Sequence, residues 1–332
     1  MRMLIYDVHA SESGALAILD DLYKKICDAA DGSVEYLFVV STPEYKETEH
    51  IKVESYPWVK KSWLHRLYFD HVTTRSILKR FKPDKVYSLQ NQGIPFFNGE
   101  QDVYLHLPFV LCDYKFDLKK DGKRLWLYQN VLSKSIFSSL RKVSKVIVQT
   151  NWMKDALIKK AHVKPENIVI EAPDITMNHI GQYEGDSTGR KTFFYPATSF
   201  RYKNHITVLN AIKFAVDQGL KDYEVIFTIK KDENEYTEEL YDYAMKNNLN
   251  VDFHGQIPRD KVFELYTRSV LLFPSMVESF GMPLLEARLT GAPVFASNCP
   301  FCKEILDGYE KSKIFDGYDY ESLGRYILDY KM

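Results

Sequence analysis

Short apolar runs recur along this chain, and most of the intervals between them carry helical patterns rather than hairpin turns. The first set is Met3–Tyr6, Glu35–Val40, Lys85–Leu89, Asp102–Leu107 and Lys145–Thr150, with a helix expected from about Gly14 to Ala29. The second set is Lys191–Pro196, Tyr223–Ile229, Val251–Gly255, Val270–Ser275 and Ala292–Ser297. Helices are expected between them at about His205–Gln218, Glu235–Asn247, Arg259–Ser269 and Pro283–Leu289. Strand, helix, strand at this spacing predicts parallel sheets with crossover helices, an α/β fold.

The pattern breaks once, at Asp174–Arg190, which has three glycines and little apolar periodicity. This predicts a linker at 174–190 between an N-terminal domain, 1–173, and a C-terminal domain, 191–332. A chain of 332 residues suits two domains at about 100–200 residues each. In doubly wound sheets, ligands bind at the carboxyl ends of the strands.

Composition removes several function classes. Net charge is −1 overall, so no global field attracts nucleic acid, although residues 1–172 carry +5 and the remainder −6. Four cysteines in a chain this long make no disulfide scaffold. Cys299 and Cys302 form a single Cys-Pro-Phe-Cys pair, which reads as structural. No basic-then-apolar leader opens the sequence, and no uninterrupted apolar stretch reaches about 18 residues. The expected location is the cytoplasm.

Val270–Ser297 carries the most chemistry. A strand ends at Phe273–Pro274, a loop holds Glu278, Ser279, Phe280 and Gly281, and Pro283 opens a short helix that Gly291 closes. A helix start of this kind presents backbone N–H groups to phosphate, and Gly281 lets a ligand approach the chain closely. Glu278 and Glu286 flank that place. Carboxylates repel phosphate but accept hydrogen bonds from hydroxyls, worth about 1.5–3 kcal/mol each. A molecule with a central diphosphate and hydroxylated rings at both ends, a nucleotide sugar, satisfies both demands.

The diphosphate needs a cation. The chain has neither a Walker loop nor an Asp-x-Asp metal clamp, so protein cations are expected to serve, with no cofactor. Phe193–Ile212 offers them: after a strand ending at Pro196, a loop carries Arg201 and Lys203 ahead of a helix near His205. In the N-terminal half, His106 falls near the end of a strand. Gly14 lies in the loop before the first helix, Ser11–Ala15, which can present N–H groups. Between Trp58 and Lys85 there are eight Lys/Arg against two Asp, interleaved with Trp63, Tyr68 and Phe69. That segment suits the interface of an anionic membrane, or equally a basic helix packed by its aromatics.

The run VESFGMPLLEARLTGAPVFAS, with VDFHGQIPRDKVFELYTRSVLLFPS before it and the KNH run at Lys203, closely resembles family-4 retaining glycosyltransferases, in particular bacterial capsule and O-antigen enzymes. The resemblance implies a GT-B fold, two Rossmann-like domains facing across a cleft. It implies a metal-independent hexosyltransferase with a UDP- or GDP-sugar donor and a glycan or lipid-linked glycan acceptor. Glu278 would contact donor-sugar hydroxyls, Glu286 the ribose, Lys203 the diphosphate, and Phe280, Gly281 and Met282 would lie near sugar and phosphates. His106 would touch the donor sugar or support the leaving phosphate.

Two departures stand out. Family members often carry arginine where Thr198 stands, which leaves either Arg201 as the substitute or a site with one cation, and they finish with a helix crossing back to the first domain, whereas one short helical pattern, Tyr320–Tyr330, ends this sequence. The alternatives within the same fold are a nucleotide-sugar 2-epimerase and a non-catalytic sugar-nucleotide-binding subunit.

Overall fold

The computed structural model describes residues 1–11, 13–29, 32–173 and 181–331. In chain order, β1 (Arg2–Asp7), α1 (Ser13–Ala29), β2 (Glu35–Val40), β3 (Ile51–Ser55), α2 (Trp63–Tyr68), α3 (Thr74–Phe81), β4 (Lys85–Ser88), β5 (Glu100–Tyr104), α4 (Lys123–Leu127), α5 (Ser133–Leu140), β6 (Lys145–Val148), α6 (Asn151–Ala156) and β7 (Ile168–Ile170) come first. There follow β8 (Lys191–Tyr195), α7 (His205–Asp217), β9 (Tyr223–Phe227), α8 (Glu235–Lys246), β10 (Val251–Phe253), α9 (Arg259–Tyr266), β11 (Val270–Phe273), α10 (Met282–Thr290), β12 (Val294–Ser297), α11 (Pro300–Ile305), β13 (Ser312–Phe315) and α12 (Tyr320–Asp329).

The chain divides into two compact units. The first, Met1–Leu111 with Leu127–Ala172, holds a seven-stranded sheet in the order β3-β2-β1-β4-β5-β6-β7, and every strand pair in it is parallel. Side chains alternate across a strand, so a parallel sheet covered on both faces needs apolar residues at successive positions. Leu4 and Tyr6 pack with Phe69 and Ile77 on one face, while Ile5 packs with Leu19 of α1 on the other. Between α2 and α3 the helix continues through a π turn, Phe69–Thr73, where the Thr74 N–H reaches Phe69 O. It stops at Lys82, in the left-handed region ahead of Pro83.

The second unit comprises Cys112–Trp126 and Pro173–Met332. Its sheet runs β10-β9-β8-β11-β12-β13, the order of a dinucleotide-binding sheet, again all parallel. The helical pattern near the end of the sequence forms α12, which lies on α7 where Gly324 approaches Phe214 and Ala211 too closely for a Cβ to fit.

Each strand expected from sequence is present. Three more, β3, β7 and β13, are all outermost in their sheets, where half-exposed residues dilute the apolar signal. β5 begins at Glu100 and ends at Tyr104, so His106 sits in the loop beyond the strand. Of the segment expected as a linker, residues 174–180 lie outside the described residues. Residues 181–190 are bonded into the second unit: the Tyr183 N–H donates to Thr290 O at 2.7 Å, the Glu184 N–H to Thr267 O at 2.9 Å, and Asp186 accepts from the Thr192 hydroxyl at 2.6 Å. Cys112–Trp126 also belongs to the second unit, with Phe116 edge-on to Tyr202 at 5.9 Å, a grouping nothing in the sequence announces.

Candidate functional site

Strand order in the second unit reverses between β8 and β11, and the loops after these two strands form one constellation. After β8 a short turn, Arg201–Lys203, leads to Asn204 at φ 62°, a left-handed residue whose side-chain amide donates to Gly317 O at 2.7 Å. Asparagine tolerates that backbone and here also anchors it. The Tyr195 hydroxyl donates to Lys203 O at 2.7 Å, and the Met276 N–H donates to Tyr202 O at 2.9 Å, which ties the β8 loop to the β11 loop.

Lys203 and Glu278 form a direct charge-assisted pair through Nζ and Oε1, and the Ser275 hydroxyl donates to the same oxygen at 3.0 Å. An ammonium has three donors, so the pair leaves Lys203 able to bind a further anion. Next to Glu278, Gly281 at φ 96° starts α10 without any side-chain cap. Pro283 is the second helical residue and brings no N–H, Phe280 is buried, and Gly291 at φ 78° ends the helix. An uncapped start of this kind is electropositive.

Glu286, one turn into α10, is only 4% exposed. The Tyr266 hydroxyl donates to its Oε2 at 3.0 Å, and burial, with the carboxylate beside it, raises the Tyr266 phenol well above its usual range. Arg259 Nη2 pairs with Oε1 at 2.8 Å, and among the described residues this buried oxygen accepts no hydrogen bond of good geometry. Oε1 is thus an acceptor held by charge alone.

Arg201 stands in the same turn as Lys203 but spends both arms of its guanidinium on Glu239, at 2.9 and 2.7 Å, and stacks over Tyr236. His205 is buried with neither ring nitrogen bonded, and burial lowers its pKa to about 3, so it is a neutral core ring among Tyr195, Phe227 and Tyr236.

In the first unit, His106 is half-buried, and desolvation of its ring lowers its pKa to about 4, which keeps it neutral. Asn91 Oδ1 accepts the His106 N–H at 2.9 Å, which turns its Nδ2 toward Nε2 at 3.4 Å and assigns the ring proton to Nδ1. Nδ1 has no partner. Gly14 lies in the first turn of α1, and a Cβ built there meets nothing within 4 Å. Of the basic–aromatic segment, Phe69 is core and Trp58 packs on it at 5.8 Å, whereas Trp63 and Leu64 are 71% and 72% exposed. Cys299 and Cys302 are buried free thiols within α11 and its start.

The structure thus brings Lys203, Glu278 and Gly281 together and places Glu286 on the same short helix. Sequence reading missed Ser275, Asn204, Arg259 and Tyr266. Arg259 and Glu286 are 27 positions apart on separate helices, so no local pattern could pair them.

Residues 181–331 match the family described as Glycosyl transferases group 1. Among solved structures, WaaG, a glycosyltransferase involved in lipopolysaccharide biosynthesis, aligns over 99% of this chain and 90% of its own, with TM-score 0.71 and 15% identity. Sucrose-phosphate synthase from Thermosynechococcus elongatus gives 0.72 at 13% identity over 99% and 90%. HepE from Anabaena, in complex with UDP and glucose, gives 0.69 at 17% identity over 99% and 89%. No curated protein matches the chain in sequence. The architecture is the GT-B fold, with two Rossmann-like sheets.

Proposed function

We propose that this chain is a retaining glycosyltransferase of hexosyl type that moves a sugar from a nucleotide diphosphate to a hydroxyl of a glycan or lipid-linked glycan, in cell-surface polysaccharide synthesis. The observation that carries the reading is the Lys203–Glu278 pair beside the uncapped start of α10, at the switch point of a dinucleotide-type sheet. Lys203 and the α10 start supply positive potential where a diphosphate accumulates charge as it leaves, so no metal is needed for that task. Oε1 of Glu286 takes a ribose hydroxyl when Arg259 swings aside. Glu278 orients Lys203 and offers its second oxygen to the donor sugar. Arg201 braces α8 through Glu239 and holds the turn that presents Lys203. Phe280, Gly281 and Met282 line the phosphate end; in the first unit Gly14 leaves room for a ligand at α1, and His106 carries a neutral N–H with no partner among the described residues.

Attack from the face that the diphosphate leaves retains configuration, and a diphosphate oxygen accepts the proton of the acceptor hydroxyl. UDP and UDP-glucose are ligands of HepE in its structures, which makes UDP-sugars the first donors to test, ahead of GDP-sugars. The exposed Trp63, Leu64, Leu67, Tyr68 and Val72, with Lys60 and Lys61 alongside, suit peripheral contact with an anionic membrane where a lipid-linked acceptor resides. Among the described residues no helix is long and apolar enough to cross a membrane.

The test is turnover: UDP- and GDP-sugars are incubated with glycan acceptors in metal-free buffer, and glycosidic product is detected by mass. Product with the anomeric configuration of the donor supports the reading. An epimerised donor formed without acceptor, or no turnover of any donor that binds, overturns it.

A further inference from the structure

Glu286 is a buried carboxylate whose charge is answered from the surface. Its side chain is 5% exposed, whereas that of Arg259, the one cation paired with it among the described residues, is 64% exposed. The two come from different helices: Glu286 lies one turn into α10, and Arg259 is the first residue of α9. Tyr266, at the other end of α9, occupies Oε2 by donating to it at 3.0 Å. Oε1 is left to Arg259, at 2.8 Å and without hydrogen-bond geometry.

Nothing in α9 itself asks for an arginine at that position. A cation at a helix start opposes the helix dipole. The guanidinium also lies over the Phe263 ring of its own helix, at 5.2 Å, a contact that any flat cation on the surface can make. What holds it is the carboxylate. A buried carboxylate with no partner is strongly disfavoured, so some group must stand on Oε1 at all times. The guanidinium is one such group, and a ligand hydroxyl is another.

The two are unequal. A hydroxyl can aim straight at a carboxylate oxygen, and charge-assisted bonds of that kind are the stronger ones. Arg259 holds Oε1 by charge alone and gives up rotamer freedom to do so. Because Oε1 is sealed and its partner is at the surface, a ligand reaches that oxygen by taking the place of the guanidinium. We propose that Arg259 is an internal competitor of the nucleotide: it occupies the oxygen of Glu286 that a ribose hydroxyl needs, and it holds nucleotide affinity below what the contacts of the site would otherwise give. The identity of the ligand rests on the nucleotide-sugar reading, whereas the competition for Oε1 rests on the pair itself.

Calorimetric titration of UDP and GDP into the wild-type chain, Arg259→Ala and Arg259→Gln, each shown to be folded by circular dichroism and followed by thermal melting, tests this. Deleting a surface cation ordinarily weakens the binding of an anion. Competition predicts the reverse sign. Each variant is expected to melt at a lower temperature, because Glu286 loses its partner, yet to bind the preferred nucleotide at least ~3-fold more tightly. Lys261→Ala removes a neighbouring cation that pairs with Glu264 instead, at 2.6 Å, and is expected to bind no more tightly than wild type. Variants of Arg259 that bind as wild type does, or more weakly, overturn the competition and leave the donor site standing. An equal gain in Lys261→Ala also overturns it, since net charge would then explain the effect. If wild type and variants alike bind neither nucleotide, the donor reading fails and this inference fails with it.

Discussion

Lys203 keeps its place because its neighbours are committed to backbone geometry: Asn204 is pinned to Gly317 O and Tyr195 holds the Lys203 carbonyl. Its charge is therefore preorganised, the condition under which one cation counts most in a transition state. Lys203→Ala is expected to lower transfer at least ~10-fold while leaving the fold intact, as checked by initial rates and thermal melting. The pairing with Glu278 has a further consequence. Family resemblance divides the labour, with Glu278 on the sugar and Glu286 on the nucleotide, but Glu278 here also pairs with Lys203. Glu278→Ala is therefore expected to weaken free UDP as well as UDP-sugar, by at least ~3-fold each, and calorimetry showing an effect on UDP-sugar alone would separate the two roles again. Asp7 makes a prediction about pH. Burial raises its pKa from 3.8 to about 6, so the folded chain keeps a proton there that the unfolded chain has released. That contribution is complete below about pH 4 and is lost as pH rises through 6, and Asp7→Asn removes it. Urea titrations are expected to show wild type losing up to about 3 kcal/mol relative to Asp7→Asn between pH 4 and pH 6.5; a constant difference would show that Asp7 titrates normally.

At the scale of elements, α10 was the most legible piece. Gly281 and Gly291 both occupy left-handed positions and bound the helix as their sequence context demands, and Pro283 sits one residue inside its start. The stretch from Trp63 to Phe81 was legible only in part. Its basic and aromatic content is plain, but the π turn at Phe69–Thr73 rotates the face that follows, so periodicity could not say which aromatics turn inward. Phe69 is sealed in the core, whereas Trp63, Leu64, Leu67 and Tyr68 face solvent. Replacing Trp63 and Leu64 by Ser is expected to reduce binding to vesicles rich in phosphatidylglycerol by about 10-fold, as read by co-sedimentation, with no loss of thermal stability. Unchanged co-sedimentation would remove this helix from any membrane contact. The strands β3, β7 and β13 escaped sequence reading for a related reason, since strands at or near an edge bury less and so advertise less.

For the whole molecule, the alternation of strands and helices was enough to fix two parallel sheets, because a parallel pair requires a crossover and the repeat occurs twice. The residue types of the site were legible too: Lys203, Glu278 and Glu286 stand where a strand-end loop or a helix start demanded them. Their partners were not. Ser275 on Glu278, Tyr266 and Arg259 on Glu286, and Glu239 on Arg201 join elements through tertiary packing, which leaves no trace in local spacing. Binding of a nucleotide diphosphate by the β8 and β11 loops through Lys203 is checked by calorimetric titration of UDP and GDP into the wild-type chain and into Lys203→Ala, in metal-free buffer. Saturable binding of one nucleotide is expected, weakened at least ~10-fold by the substitution; a folded wild-type chain that binds neither, or a Lys203→Ala chain that binds as tightly, would exclude Lys203 from such a site.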